Sequence, residues 1–444
     1  MFKISKYLIT QQLPTDQAKT LYYSTRTGQM VAMRTEITEH INSKQWHLLS
    51  TNELLQLTRN EILVPEDEDE LSEIMAYDRY TESSREVLGV TIQPTANCQL
   101  GCHYCGQVHS KNKMTDEVML KTITRIKNII EAEKYRDLKI TWYGGEPLMA
   151  LALIERFYDQ IKSYCVETNI NYDSDIITNG LLLKPDYFKK LMEFEVRAIQ
   201  VTIDGPKSTH DQRRITKGGK GTYDVIMANL KNCLNSEEFE TYKPSILLRI
   251  NIDSTNYGEV DNLIELLKEE GIFNKVNVHF APVVEWGDNN ADKLSLTKQQ
   301  FAEKEIDWMI SLYQNGKMPQ ELIPDRKSYS CMVDDINSEA YDAYGNVYPC
   351  YEFPYTPMYQ TDDCIEGNVL EDTDFKDKRP AKIRSFKETL PEREYSYCID
   401  CNLLPVCHGS CPKIWMQGGN ACPTFKYNIK DRMLLQYVTL NNKP

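Results

Sequence analysis

No apolar run among the 444 residues approaches the roughly 18 positions that a membrane-crossing helix needs. The opening stretch, MFKISKYLITQQLPTD, lacks an apolar core followed by a small-residue cleavage site, so no secretory signal is expected. Basic residues are in deficit. The 51 Lys and Arg against 65 Asp and Glu leave a formal charge of -14, which argues against a broad phosphate-binding surface because such a surface requires clustered cations. The expectation is a cytoplasmic protein with neither nucleic acid nor membrane as partner. Cysteine, by contrast, is abundant: there are 13. In a reducing compartment disulfides are disfavoured, and clustered thiols more often bind metal. Cys165 and Cys233 stand alone on helical segments and read as ordinary buried thiols; the other eleven gather in two regions. A disulfide scaffold is the bland alternative, but a chain with a large hydrophobic middle has no need of staples.

Residues 1–84 read as a separate small α+β module. YLITQQ and TLYYSTRTGQMVAM suggest short strands around turns, HLLSTNELLQLTRNEILV suggests short helices and a strand, and VPEDEDELSEIM supplies an acidic end. From residue 85 the pattern repeats. Strand-like VLGVTI precedes a helical run from Met114 to about Ala132, where Val118, Ile123, Ile126, Ile129 and Ile130 keep one apolar face. DLKITWY, SDIIT, VRAIQVTI, ILLRINI and KVNVHFAP follow, with helical stretches between them. Apolar strands alternating with helices predict an α/β chain with a parallel sheet covered on its outer face. An open doubly wound sheet is one solution. Six repeats with polar residues after successive strands favour another, a partial (βα)6 TIM-like barrel whose site lies at the C-terminal strand ends. The rhythm stops near residue 285. After a helix over FAEKEIDWMISLYQ comes a cysteine-dense region with the turns YGNVYP, IEGNV and MQGGN. The expected division is 1–84, 85–310 for the barrel, and 311–444 for a bridging region and a cysteine-rich domain.

TANCQLGCHYCGQ, residues 95–107, places Cys98, Cys102 and Cys105 on one short loop behind the first barrel strand. Three thiols are one fewer than a tetrahedral zinc or an iron–sulfur cubane takes. Either a fourth ligand comes from elsewhere, or one metal position is left for something that is not protein. Behind the second strand, WYGGEPL carries Gly144 and Gly145, which permit close backbone approach, and Glu146 before Pro147. TNG at 178–180, IDGP at 203–206 and RIN at 249–251 bring Asn179, Asp204 and Arg249 to the same rim. Each alone is an ordinary turn or strand end. Together they outline a pocket able to hold an amine, a carboxylate and a ribose.

Cys98-x3-Cys102-x2-Cys105, with Tyr104 before its third cysteine, resembles the signature of the radical S-adenosylmethionine (SAM) enzymes, and Gly144-Gly145-Glu146-Pro147 resembles their second motif. The resemblance implies a [4Fe-4S] cluster on Cys98, Cys102 and Cys105, with the fourth iron chelated by S-adenosyl-L-methionine. An electron from a low-potential donor such as a flavodoxin or ferredoxin then yields a 5′-deoxyadenosyl radical that abstracts hydrogen. It also implies that Gly144, Gly145 and Glu146 receive the amine, with Asn179, Asp204 and Arg249 as candidates for ribose or carboxylate. Glu146→Ala is expected to weaken cofactor binding more than folding, because a carboxylate on such a turn adds little core volume. No catalytic acid or base is assigned, and a structural zinc remains the alternative for the three cysteines taken alone.

Cys331, then Gly345 five positions before Cys350, then Cys398-x2-Cys401-x5-Cys407-x3-Cys411 and Cys422 resemble the SPASM extension of peptide- and protein-modifying radical SAM enzymes. That resemblance implies a C-terminal iron–sulfur domain with two auxiliary [4Fe-4S] clusters, three clusters in all. One would sit on Cys398, Cys401, Cys407 and Cys422, the other on Cys331, Cys350 and Cys411. The latter set is one ligand short, since PDRKSYS precedes Cys331 where several relatives have another cysteine. Cys364 is a substitute; otherwise that iron is open to a substrate thiolate, a water or another residue.

Two substrate classes compete. Sulfatase-maturing relatives have their first motif close to the N-terminus and an Asp directly after the cysteine corresponding to Cys350. Here 97 residues precede Cys98, and Tyr351 stands at that place with Glu352 beside it. Residues 1–84 instead resemble the leader-recognition appendage of enzymes that mature ribosomal peptides, whose strands can take an extended leader as an added strand. The expectation is an oxidoreductase that installs an intramolecular thioether or carbon–carbon crosslink in a ribosomal precursor peptide. Epimerisation, another peptide oxidation and sulfatase maturation are the alternatives, and a nonenzymatic iron–sulfur electron carrier is a distant one.

Overall fold

The computed structural model describes residues 2–287, 289–371, 376 and 379–441. The chain divides into two compact units, one of 1–84, 297–334 and 385–444, the other of 85–296 and 335–384.

In the first unit β1 (Phe2–Ile4) pairs antiparallel with β5 (Leu63–Pro65), while β2 (Leu8–Leu13), β3 (Asp16–Ser24) and β4 (Gln29–Arg34) form an antiparallel sheet in that order. Tyr22, Met33, Ile37, Ile41, Leu57 and Ile62 pack against one side, fed by helices Thr35–Asn42 and Thr51–Arg59. The acidic end of the module is a helix, Glu70–Ser83. Asp69 caps it by accepting from the Ser72 amide, and acidic residues in its first turn complement the helix dipole. Sequence periodicity over that stretch is too weak to announce it. On the other side Ile9, Leu13, Leu21 and Tyr23 pack with Leu403, Val406, Ile429 and Met433, and Tyr7 and Ile74 pack with Phe386, Leu404 and Trp415. The N-terminal module therefore shares its core with the C-terminal cysteine-rich segment.

The second unit is built on six parallel strands, β6 (Val87–Ile92), β7 (Asp137–Trp142), β8 (Asn171–Thr178), β9 (Val196–Thr202), β10 (Ser245–Ile252) and β11 (Asn277–Pro282), adjacent in chain order. Sequential neighbours joined by helical crossovers give the partial barrel that the repeats predict. Leu88, Val90, Ile92, Ile140, Trp142, Ile199, Val201, Leu248 and Ile250 are buried, which fits a sheet covered by helices. The first crossover helix, Asp116–Glu133, starts where the Thr115 side chain accepts from the Val118 amide, stops at left-handed Lys134, and buries the apolar face read from sequence.

Residues 335–384, grouped by sequence with the C-terminal domain, join the barrel sheet. β12 (Ala340–Tyr341) lies parallel to β6, and β13 (Asn346–Tyr348) and β14 (Gly367–Asn368) continue antiparallel. Buried Arg125 anchors this edge with a two-pronged contact to Glu339, its Nε and Nη2 at 2.7 and 2.8 Å from the two carboxylate oxygens. Cys165 and Cys233 are free thiols buried on helices Leu151–Thr168 and Tyr223–Leu234. Among the described residues no helix is long and apolar enough to cross a membrane.

Candidate functional site

The C-terminal ends of the six barrel strands surround a cavity of about 360 Å³ within the second unit. Cys98, Cys102 and Cys105 line it from the loop after β6, with Gly145, Asn179 and Arg249 around the rim. The loop is tethered through its aromatic residue. The Tyr104 hydroxyl donates to Asp204 Oδ2 at 2.7 Å and accepts from Arg214 Nη1 and, at 3.2 Å, from Asn251 Nδ2. The Asn251 amide donates to Asp204 Oδ1 at 3.0 Å. Asp204 is thus fully engaged in joining the cysteine loop to the ends of β9 and β10, and it does not line the cavity.

The glycine turn after β7 lies on the same loop. Gly144 and Gly145 have φ of +74° and +51°, and a Cβ on Gly145 would stand 2.5 Å from the Asn97 carbonyl oxygen. Only glycine meets both demands. The Gly145 amide donates to Gln107 Oε1 at 2.9 Å, while Gly144 is turned toward Gln93 and lies outside the lining. Glu146 is not among the residues that line the cavity. Fully buried, its carboxylate accepts from Thr178 Oγ1 at 2.7 Å, the Asn179 amide at 2.8 Å and the Leu148 amide at 3.0 Å. Burial raises its pKa, against the pull of those donors. Glu146 joins the end of β7 to the end of β8, and alanine would leave three donors unmet in a dry site, so Glu146→Ala carries a folding cost beside any effect on cofactor binding.

Asn179 does face the cysteines, with Nδ2 3.7 Å from Cys98 Sγ, and the Leu100 amide donates to the same sulfur at 3.4 Å. Arg249 lines the cavity with its Nε donating to Asn251 Oδ1 at 2.8 Å. Sequence reasoning missed Arg214. It is buried, lines the cavity beside Cys102, and its Nε has no hydrogen-bond partner among the described groups. A buried guanidinium with an unmet donor suits a carboxylate. The signal was there in RRI, a pair of arginines after the β9 crossover of an acidic chain. Tyr143, Trp286, Tyr351 and Glu352 form another part of the wall, and sequence reasoning had singled out only the last two. The Tyr143 and Tyr351 rings meet edge to face at 5.7 Å, and the Tyr143 hydroxyl lies 3.5 Å from Glu352 Oε1. Burial raises the Tyr143 phenol well above its ordinary pKa. His109, near Cys105, is held neutral by burial and by Lys217, with a pKa of about 4.

Burial pushes the Cys98 thiol up to about 12 and Cys105 to about 11, and raises Cys102 as well. Metal loading must therefore release protons. Three thiols, donors aimed at one sulfur and an unmatched arginine fit a thiolate-held cluster with one open position beside a carboxylate-bearing ligand.

In the first unit Cys398, Cys401, Cys407 and Cys422 line one cavity with Trp415 and Lys426, the four-thiol set implied for an auxiliary cluster. Burial raises Cys398, and lifts Cys407 to about 12. Cys331 and Cys411 lie in the same unit, where burial, then Asp334, with Cys411 adding, push Cys331 to about 12. Cys350 and Cys364 lie in the second unit. The side chain acting on the Cys364 thiol by hydrogen bond is Thr361, and the nearby charge is Asp363. Among the described residues no three His, Cys, Asp or Glu side chains close on one point as a single ion requires. The thiols instead surround volumes.

Residues 92–237 match the model of the Radical SAM superfamily, an interval holding all three loop cysteines, the glycine turn and Arg214. The cysteine-type anaerobic sulfatase-maturating enzyme of Clostridium novyi (strain NT) is 22% identical over 367 residues, 79% of this chain and 92% of that protein. Native anSMEcpe with bound AdoMet superposes with a TM-score of 0.59 at 20% identity, covering 80% of this chain and 97% of that one. Streptococcus suis SuiB bound to precursor peptide SuiA superposes with a TM-score of 0.53 at 14% identity, covering 96% and 99%. At these identities the structural likeness is one of fold. The family match lies on the loop and turn that build the cavity, so residues 92–237 form a radical SAM domain, and the four C-terminal cysteines that line one cavity stand at the spacing that resembles SPASM.

Proposed function

We propose that the enzyme acts on a ribosomal precursor peptide and closes an intramolecular thioether or carbon–carbon crosslink by net oxidation. The observation that carries this reading is the extent of the likeness: SuiB, solved with its precursor peptide, corresponds to 96% of this chain, against 80% for anSMEcpe. Within the N-terminal sheet β4 is a terminal strand, which suits pairing with an extended leader. Cys98, Cys102 and Cys105 would hold the cluster beside which S-adenosyl-L-methionine binds, and the pair, reduced by a flavodoxin- or ferredoxin-type donor, would supply hydrogen-abstracting radical chemistry. Arg214 and Arg249 receive the carboxylate of S-adenosyl-L-methionine. Tyr143, Trp286 and Tyr351 would exclude water from the target side chain, Glu352 would take the proton released as the bond closes, and the electron left on the substrate would pass to an auxiliary iron–sulfur cluster.

Arg214→Met is expected to weaken S-adenosyl-L-methionine binding about 10- to 100-fold, the worth of a charge-assisted contact of roughly 1.5–3 kcal/mol, with iron content unchanged. Equilibrium dialysis of the reconstituted protein reads this; an unaltered affinity removes Arg214 from the binding site.

The substrate is tested by mass. After anaerobic incubation with reductant and S-adenosyl-L-methionine, a leader-bearing precursor peptide is expected to lose about two hydrogens per crosslink. An unchanged mass rejects the crosslink. Because residues 1–84 share a core with the C-terminal segment, the leader is shortened on the peptide rather than on the enzyme, and a leaderless peptide is expected to be processed far less efficiently. Sulfatase maturation is the second reading, favoured by the place of Glu352 on the cavity wall; oxidation of a sulfatase peptide in preference to the precursor would establish it.

A further inference from the structure

Cys422 is approached by two lysines in the first unit. Lys426, at the start of helix Phe425–Asn441, lines the four-cysteine cavity and places its Nζ 3.2 Å from Cys422 Sγ. Lys298, at the start of helix Lys298–Gln314, donates from Nζ to the Cys422 carbonyl oxygen. The Lys426 ammonium thus meets a sulfur rather than a carboxylate as its hydrogen-bond partner. An ammonium gains little from a neutral thiol. It gains much from a thiolate, and four thiolates around an iron–sulfur core carry net negative charge that each added electron increases. Hydrogen bonds to cluster sulfurs and compensating charge raise a reduction potential.

We propose that Lys426, supported by Lys298, makes the auxiliary cluster on Cys398, Cys401, Cys407 and Cys422 easier to reduce by donating to the Cys422 sulfur and offsetting its charge. The proposal rests on the reading that this cavity holds a [4Fe-4S] cluster. Lys426 is a positioning residue, and because it is exposed, solvent limits the effect to about one decade.

The experiment uses full-length, anaerobically reconstituted protein with Cys98, Cys102 and Cys105 replaced by alanine, so that only auxiliary clusters remain. Their potentials are read by electron paramagnetic resonance during a redox titration, and the signal lost on Cys398→Ala identifies the cluster concerned. Lys426→Met is expected to shift that reduction equilibrium tenfold toward the oxidised form, about 59 mV for one electron, with iron content unchanged. Lys426→Arg keeps most of the parent potential, and Lys298→Met added to Lys426→Met lowers it further. Loss of the cluster in Lys426→Met with retention in Lys426→Arg also supports the proposal. An unchanged potential in Lys426→Met, or equal shifts or equal iron loss in the Met and Arg variants, overturns it. If the parent protein holds no iron that depends on Cys398, the cluster reading itself falls, and the proposal with it.

Discussion

Alanine at Cys98, Cys102 and Cys105 together is expected to abolish 5′-deoxyadenosine formation from S-adenosyl-L-methionine. The same change should remove about four iron atoms per chain, the content of one cubane. The three thiols line one cavity, and their loop is fixed by the Tyr104 hydrogen bonds to Asp204, Arg214 and Asn251, none of which depends on a sulfur. The loop therefore keeps its course after substitution, while nothing in it remains to hold iron. Iron and sulfide analysis reads the first effect, and chromatography of reductant-treated mixtures reads the second. Residual 5′-deoxyadenosine above the level of an enzyme-free control would show that cleavage occurs elsewhere. Zinc in place of iron at this loop would end the radical assignment.

Loss of one partner in the Arg125–Glu339 pair is expected to be the largest single-residue effect on stability. Arg125→Met strands the Glu339 carboxylate, fully buried beside the Tyr341 hydroxyl, and should destabilise the second unit by about 3–5 kcal/mol. Burial alone would lower the Arg125 pKa, yet the Glu339 contact holds it above the ordinary arginine value, so the guanidinium stays charged. Replacing both residues, Arg125→Met with Glu339→Met, should recover most of the loss, because the stranded charge is then gone. Denaturant unfolding checks this; a double variant as unstable as the single one would show that packing rather than charge sets the cost. The strain should reach the site, since Glu339 leads into β12 and the chain from there carries Tyr351 and Glu352 to the cavity wall.

The barrel was legible in the sequence because its strands are short apolar runs separated by helices with one apolar face, a pattern that local spacing alone records. VLGVTI, DLKITWY and VRAIQVTI lie where β6, β7 and β9 are, and the Met114 to Ala132 periodicity falls on helix Asp116–Glu133. The cysteine loop and the glycine turn were legible for another reason: thiols at fixed short spacing and paired glycines are chemical signals that do not depend on distant contacts.

What the sequence by itself determined is therefore the arc of strands, the thiols at its first strand end and the four-thiol set near the C-terminus. Which polar rim residues face the cavity was decided only in three dimensions. Glu146 and Asp204 carry the right chemistry at the right strand ends, yet donors from β8, β10 and Tyr104 draw them into the scaffold. Arg214, between the strands that define the repeat, comes to the cavity instead. Tertiary structure also moved residues 335–384 onto the edge of β6 and merged the cores of residues 1–84 and the C-terminal segment. The physical reason is the same in each case: edge pairing, a shared core and the orientation of a side chain are settled by partners far away in the chain, and local spacing holds no record of them.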